Sequence, residues 1–345
     1  MGVFEVPAMQ RASVLDTDLQ LHVEQRPVPA PQPGEVLIRV RSVGICGSDI
    51  HYFEHGRIAD FVVETPLILG HEASGEVVAL GDGVTDLSIG DRVAMEPGVP
   101  CGTCEQCRSG RYNLCPDVRF FATPPIDGAF TEYVTLPRAF VHPVPDSVSF
   151  DAAALLEPLS VGVWACQKGN VRLGTRLLIT GAGPVGVMVA LVARANGATE
   201  ITLSDVNPQR LARAAELGFD IVDSRTQSLP DVVEADVLIE CSGATPAIVD
   251  GIRCVAPAGT VVLVGMSPTA MVELPFGVIQ GRELWITGTF RYAHTYPTAV
   301  ALVSSGAIDL DALVSKTFSL DEVEQALTYS RQDPAAMKVV VRVPE

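Results

Sequence analysis

The chain has 345 residues, 48% of them hydrophobic and 19% charged, with a formal net charge of −17 at pH 7. Such apolar content fills a large core and excludes general disorder, while the length points to two domains. The acidity disfavours nucleic acid, the apolar runs stop short of the roughly 18–20 residues that span a bilayer, and Met1–Gln20 shows no secretory pattern, so a cytoplasmic chain without a membrane partner is expected.

Met1–Ser149 reads as short strands separated by Gly/Pro turns. Val36–Val40 follows Pro33-Gly34, and Gly75–Gly81 and Asp91–Met95 come after it. Long helical periodicity is missing from this stretch, so an antiparallel, barrel-like domain is expected. The pattern changes near Asp151. Asp151–Lys168 has helical spacing with Asp151 as its N-cap. Strands then alternate with helices: Arg176–Thr180, Glu200–Ser204, Val237–Glu240, Thr260–Val264 and Glu283–Gly288, with helices such as Val185–Asn196 and Pro208–Leu217 between them. That alternation predicts a doubly wound parallel sheet, hence an α/β class for this half. The tail Pro297–Glu345 reads as two helical stretches and a final strand, Lys338–Val343.

Four of the eight cysteines stand as Cys101-x2-Cys104-x2-Cys107-x7-Cys115. Four thiolates at this spacing close a tetrahedral shell around one zinc ion and leave no position for substrate. A disulfide reading conflicts with a reducing cytosol, and an iron–sulfur cluster is the weaker metal alternative. Cys166, Cys241 and Cys254 sit in apolar contexts and read as buried thiols.

Strand Arg176–Thr180 runs directly into Gly181-Ala182-Gly183-Pro184-Val185-Gly186 and an apolar helix. In that context the glycine pattern is a strong dinucleotide signal: Gly181 permits the turn, Gly183 the approach of a pyrophosphate, and Gly186 close packing of helix on strand. Asp205, 24 residues after Gly181, can accept ribose hydroxyls and repels a 2′-phosphate, which favours NAD over NADP. Arg210 can stack on adenine or engage a 2′-phosphate.

Three polar patches remain: Cys46-Gly47-Ser48-Asp49-Ile50-His51-Tyr52, Gly70-His71-Glu72-x2-Gly75, and Glu157-Pro158 inside an apolar helix. Periodicity alone does not bring them together. The run Gly70-His71-Glu72-x2-Gly75-x5-Gly81-x2-Val84 resembles the zinc signature of medium-chain alcohol and polyol dehydrogenases, and the cysteine lobe and glycine turn stand in that family's order. Four stretches look most like sorbitol (L-iditol) and xylitol dehydrogenases: Cys46–Tyr52, Gly110–Leu114, Ala122-Thr123-Pro124-Pro125 and Phe290-Arg291-Tyr292. Some animal sorbitol dehydrogenases lack the four-cysteine lobe that this chain keeps, which points toward microbial-type relatives.

The resemblance implies a GroES-like β-barrel catalytic domain at 1–157 and 293–345, with a zinc lobe at 97–116. A Rossmann NAD-binding domain at 158–292 would complete the chain, with the active site between the two. It implies two zinc ions per chain. One is structural, on the four clustered cysteines. The other is catalytic, on Cys46, His71, Glu72 and Glu157, with Glu72 either a ligand or a close neighbour and Glu157 acting directly or through water. Ser48 and His51 would relay the substrate proton, with Glu157 the third catalytic residue. Tyr52, Phe121, Thr123, Arg291 and Tyr292 would bind a polyol. Val264, Gly265, Met266, Thr289, Phe290 and Arg291 would join Gly181, Gly183, Pro184, Val185, Gly186, Asp205 and Arg210 around NAD. The implied activity is oxidation of a polyol secondary hydroxyl to a ketose by a homotetramer or homodimer. A diol or amino-alcohol dehydrogenase, acting on butanediol or threonine, is the alternative. A crystallin-like structural protein would have no need of Cys46, His71 and Glu157.

Overall fold

The structure is a computed structural model that describes residues 6–344; Met1–Glu5, within the expected barrel, and Glu345, at the end of the tail, lie outside the described residues. Two compact units form: one holds the chain up to Glu157 and from Val303 onward, the other Pro158–Leu302.

In the first unit, strand Glu35–Gly44 is central. It buries Val36, Leu37, Ile38, Val40 and Val43, β-branched and apolar residues suited to a pleated, covered surface. It runs antiparallel to Glu72–Leu80 on one side. On the other it pairs antiparallel with Tyr133–Pro137 and, nearer its end, with Lys338–Arg342. Arg92–Met95 and Val141–Pro143 extend one edge, and Val314–Ser319 pairs in parallel with Lys338–Arg342 at the other. A second sheet orders Leu21–Pro27, Met9–Leu15 and Leu67–Ile68. Both sheets close on one apolar core, which includes Val14 and Leu15 from one and Val40, Val77 and Val341 from the other. The tail supplies two strands rather than the one expected. Val314–Ser319 has polar residues at Ser315, Lys316, Thr317 and Ser319, so its sequence carries little strand signal.

The expected helix Asp151–Lys168 is two helices, Phe150–Ala154 and Leu156–Lys168. Pro158 has no N–H to donate and is tolerated only in a first helical turn, so a new helix begins just before it. Asp151 is not the N-cap. Ser149 Oγ accepts from the Ala152 N–H at 2.9 Å and fills that role. The buried Asp151 carboxylate instead accepts from Ser42 Oγ and from Arg342 Nη2, both at 2.6 Å, tying the helix to two strands.

The second unit is a six-stranded sheet in the order Asp220–Asp223, Glu200–Asp205, Arg176–Thr180, Ala235–Glu240, Val255–Leu263, Trp285–Gly288, parallel throughout. Asp220–Asp223 is not legible in the sequence because it is four residues long with aspartate at both ends. Chain order reverses between Arg176–Thr180 and Ala235–Glu240. Doubly wound sheets bind ligands at such a point, outside the carboxyl ends of the strands. Among the described residues no helix is long and apolar enough to cross a membrane.

Candidate metal and cofactor sites

The four clustered cysteines converge. Their sulfurs all lie within 4.8 Å of one another, with Cys101 and Cys107 at 4.0 Å and Cys104 and Cys107 at 3.4 Å. A tetrahedron with Zn–S of about 2.3 Å has edges of about 3.8 Å, so the set fits one zinc with shifts of a few tenths of an ångström to about one ångström. Backbone N–H groups aim at the sulfurs: Cys104 donates to Cys101 Sγ at 3.4 Å and Cys107 to Cys104 Sγ at 3.5 Å. Hydrogen bonds from the Thr103 backbone, then its side chain, then the Cys104 backbone bring the Cys101 thiol down to about 6, in favour of the thiolate that binds metal.

A second group gathers one ligand atom each from Cys46, His71 and Glu72 within 4.8 Å. Three protein ligands and a remaining position are what a catalytic zinc requires. Local structure explains the placement. Cys46 is the N-cap of helix Gly47–His55, and Asp49 in the first turn is fully buried. One Asp49 oxygen accepts from the Cys46 N–H at 2.9 Å and the other from the Gly70 N–H at 2.9 Å. His71 Nδ1 lies 3.6 Å from the same carboxylate. Asp49 thus fixes both ligand loops, as carboxylates behind metal-binding histidines do. Burial lowers the His71 pKa, but Asp49 and then Cys46 outweigh it, and the net value is raised well above the usual one.

Glu72 is not free to swing. Lys338 Nζ donates to its Oε1 at 2.7 Å, lies 2.5 Å from its Oε2, and donates to the Ile45 carbonyl at 2.7 Å. The opposite face is equally closed, since a Cβ on Gly44 would fall 2.1 Å from Oε2. Burial pulls the Lys338 pKa down, but Glu72, Cys46 and Glu157 raise it on balance, so the ammonium stays charged. Glu157 is buried and close enough to act on that ammonium, yet stands outside the three-atom group. Sequence reasoning misses both Asp49 and Lys338. A lysine opening the apolar run Val339–Val341 is the available signal, but its partner lies 266 residues away.

In the second unit the glycine turn is built for close approach. A Cβ on Gly186 would sit 1.9 Å from the Gly181 carbonyl oxygen, so only glycine lets the helix start there. Pro184 occupies the first turn of helix Pro184–Ala195, and Val185 comes next. Asp205 ends its strand with Oδ2 accepting from the Ala182 N–H and Oδ1 from the Asn207 N–H, both at 2.8 Å. Each oxygen keeps lone-pair capacity for a ribose hydroxyl. Arg210 reaches Gly183, where its Nη1 would be 3.7 Å from an added Cβ. Val264 and Gly265 are half-buried and Met266 exposed, at the end of Val255–Leu263; the Thr289 N–H donates to the Leu263 carbonyl at 2.9 Å. This cradle fits a dinucleotide.

The remaining expected residues fall in two stretches and one helix. Ser48 is half-buried, Tyr52 buried, and His51 exposed with its ring 5.2 Å from that of His55. Phe121 and Thr123 are half-buried beside Ala122, a non-glycine residue at φ +55°. Arg291, at φ +52°, lies over the Phe290 ring, and the buried Tyr292 packs on Tyr296. Left-handed backbone at a residue with a Cβ costs of order 1–3 kcal/mol and clusters at functional sites.

Removing one partner of a buried ion pair costs about 3–5 kcal/mol. Lys338→Met and Glu72→Gln are therefore each expected to lower the thermal midpoint by several degrees, while the double variant recovers much of the loss. Thermal unfolding of the four proteins checks this, and simple additivity would show the pair to be uncoupled. Metal analysis gives a second check. The expectation is two zinc ions per chain, one in Cys46→Ala and one in Cys104→Ser, with the larger stability loss in Cys104→Ser.

Comparison with known proteins shows the family. The model of the alcohol dehydrogenase GroES-like domain matches residues 32–146, and that of the zinc-binding dehydrogenase domain matches residues 184–305. The chain is 44% identical to a sorbitol dehydrogenase of Gallus gallus over 322 residues, 90% of each chain. It is 42% identical to one of Bacillus subtilis (strain 168) over 335 residues, 95% of each. Animal and bacterial relatives are thus about equally similar. A solved Escherichia coli oxidoreductase/dehydrogenase of unknown specificity superposes with a TM-score of 0.92 at 35% identity, covering 98% of this chain and 100% of that one. On these matches of sequence and fold, the chain belongs to the medium-chain zinc-binding dehydrogenase family.

Proposed function

We propose that the protein is an NAD-dependent zinc polyol dehydrogenase that oxidises a secondary hydroxyl of a polyol to a ketose. One observation carries the reading: the Cys46, His71 and Glu72 ligand atoms lie within 4.8 Å of one another, in a chain whose other unit presents a dinucleotide cradle. Sorbitol dehydrogenase relatives at 42–44% identity support the substrate class.

When bound, zinc would supply Lewis-acid polarisation of the substrate hydroxyl, and NAD would supply the hydride acceptor. Cys46 and His71 would hold the metal, with Glu72 or Glu157 completing the set. Lys338 keeps Glu72 in place and offsets part of the negative charge of the ligands. Asp205 favours NAD because its carboxylate repels a 2′-phosphate.

Ser48 and His51 are one turn apart on helix Gly47–His55, so they share a face. Ser48 receives the hydroxyl proton and passes it to His51, whose exposed ring delivers it to solvent. Tyr52, Phe121, Thr123, Arg291 and Tyr292 are assigned to the polyol, since a hydroxyl-rich ligand needs several polar partners. A homodimer or homotetramer is supported by the edge strand Trp285–Gly288, which leaves Trp285 75% exposed, and by Phe276, 72% exposed on the preceding helix. A cytoplasmic location suits thiols that must stay reduced to bind metal.

Initial rates of NAD reduction across tetritols, pentitols and hexitols test the assignment. Turnover of at least one polyol class is expected, with NADP a poor substitute. Turnover of simple alcohols but of no polyol would overturn the substrate class. In His51→Ala the rate is expected to fall mainly on the acid side of the pH profile, where little hydroxide is present to take the proton directly. A profile identical in shape to the parent's would remove His51 from the relay.

A further inference from the structure

Glu240 ends strand Ala235–Glu240 at the switch point of the parallel sheet, and its side chain is fully buried. Among the described residues no ion pair neutralises it. Its Oε1 accepts from the Ser242 N–H at 2.8 Å, Ser242 Oγ at 2.5 Å, the Gly243 N–H at 2.9 Å and Thr180 Oγ1 at 3.4 Å. Its Oε2 accepts from the Gly243 N–H at 3.2 Å. The backbone of the same residue is equally engaged: its carbonyl accepts from the Val264 N–H at 2.8 Å and the Gly265 N–H at 2.9 Å.

One residue therefore fixes the loop after its own strand and the loop after the neighbouring strand. Both loops are packed to contact. A Cβ on Gly243 would lie 2.0 Å from the Met266 carbonyl oxygen, and one on Gly265 would lie 2.3 Å from the Gly243 nitrogen. A Cβ on Gly181 of the dinucleotide turn would in turn meet the Ser242 nitrogen at 3.0 Å. Burying a carboxylate without a cation is costly, and a fold that needed only a strand end would use an apolar residue there.

The position of the two loops says what they serve. Asp205 lies on the strand to one side of Arg176–Thr180 and marks the adenosine side, and Gly183 marks the pyrophosphate. Glu240 lies on the strand to the other side, where the second half of a dinucleotide must run. We infer that Glu240 is a positioning residue for the nicotinamide half of the dinucleotide, acting through the 241–243 and 264–266 loops. The inference rests on the dinucleotide reading above.

The test compares two ligands on the full-length protein. NADH needs both halves of the site, whereas ADP needs only the adenosine and pyrophosphate half. In Glu240→Gln, the uncharged oxygen is a weaker acceptor and the new amide opposes the Gly243 N–H. NADH is expected to bind roughly tenfold more weakly, about 1.4 kcal/mol, with ADP affinity held within twofold. NADH affinity held within twofold would overturn the inference, and so would an equal loss for NADH and ADP. If Glu240→Gln does not fold, Ser242→Ala decides. It keeps the carboxylate and loses one donor, so a roughly threefold loss for NADH alone is expected, and no loss in the folded variant overturns the inference. Wild-type protein that binds neither NADH nor NADPH would instead sink the dinucleotide reading itself.

Discussion

A carboxylate and an ammonium closed off from water each carry a desolvation penalty of several kcal/mol, which only good mutual geometry offsets. Glu72 and Lys338 meet that condition at 2.7 Å and 2.5 Å. The candidate ligand Glu72 is held by this contact. Lys338 opens the final strand, which pairs with the end of Glu35–Gly44, and it also holds the Ile45 carbonyl immediately before Cys46. The C-terminal tail is therefore part of the site's framework. Asp49 completes the arrangement from the other side by binding the backbones of Cys46 and Gly70. Two buried groups of opposite charge, Asp49 and Lys338, thus hold the candidate ligands in place.

The second unit solves a different problem. A chain of net charge −17 repels a ligand that carries two phosphates. The cradle answers with local dipoles: free N–H groups at the start of helix Pro184–Ala195, a backbone that only glycine brings so close at 181–186, and Arg210 beside Gly183. Its own carboxylates are committed to backbone N–H groups, Asp205 to Ala182 and Asn207, Glu240 to Ser242 and Gly243. Those bonds shape the loops, while the Asp205 oxygens keep lone pairs for a ribose hydroxyl.

Legibility tracks sequence distance. The four-cysteine lobe is readable because its ligands fall within fifteen residues, and the glycine turn because strand, turn and helix are consecutive. The parallel sheet is readable from alternation, except where Asp220–Asp223 has too little apolar content to register. Cys46 and His71 are joined only through a family pattern, since they come from different elements. Lys338 and Glu240 are hidden for opposite reasons. The first has a partner 266 residues away, and the second is a carboxylate at a strand end, where sequence alone reads an ordinary loop boundary. An N-cap at Asp151 is off by two residues because Ser149 and Asp151 are both good caps. The tertiary bonds from Ser42 and Arg342 to Asp151 decide between them.

Among the described residues, two of the eight non-glycine residues with left-handed backbone fall in stretches that look like sorbitol and xylitol dehydrogenases. Ala122 and Arg291 both adopt left-handed backbone although neither is glycine. Asparagine or glycine would be cheaper at either place if only a turn were needed. Each lies in one of the short stretches that look like sorbitol and xylitol dehydrogenases, Ala122–Pro125 and Phe290–Tyr292. In the second stretch the Arg291 guanidinium lies over the Phe290 ring. A ligand with several hydroxyls needs as many polar partners, because every buried hydroxyl left without one costs about 1–3 kcal/mol.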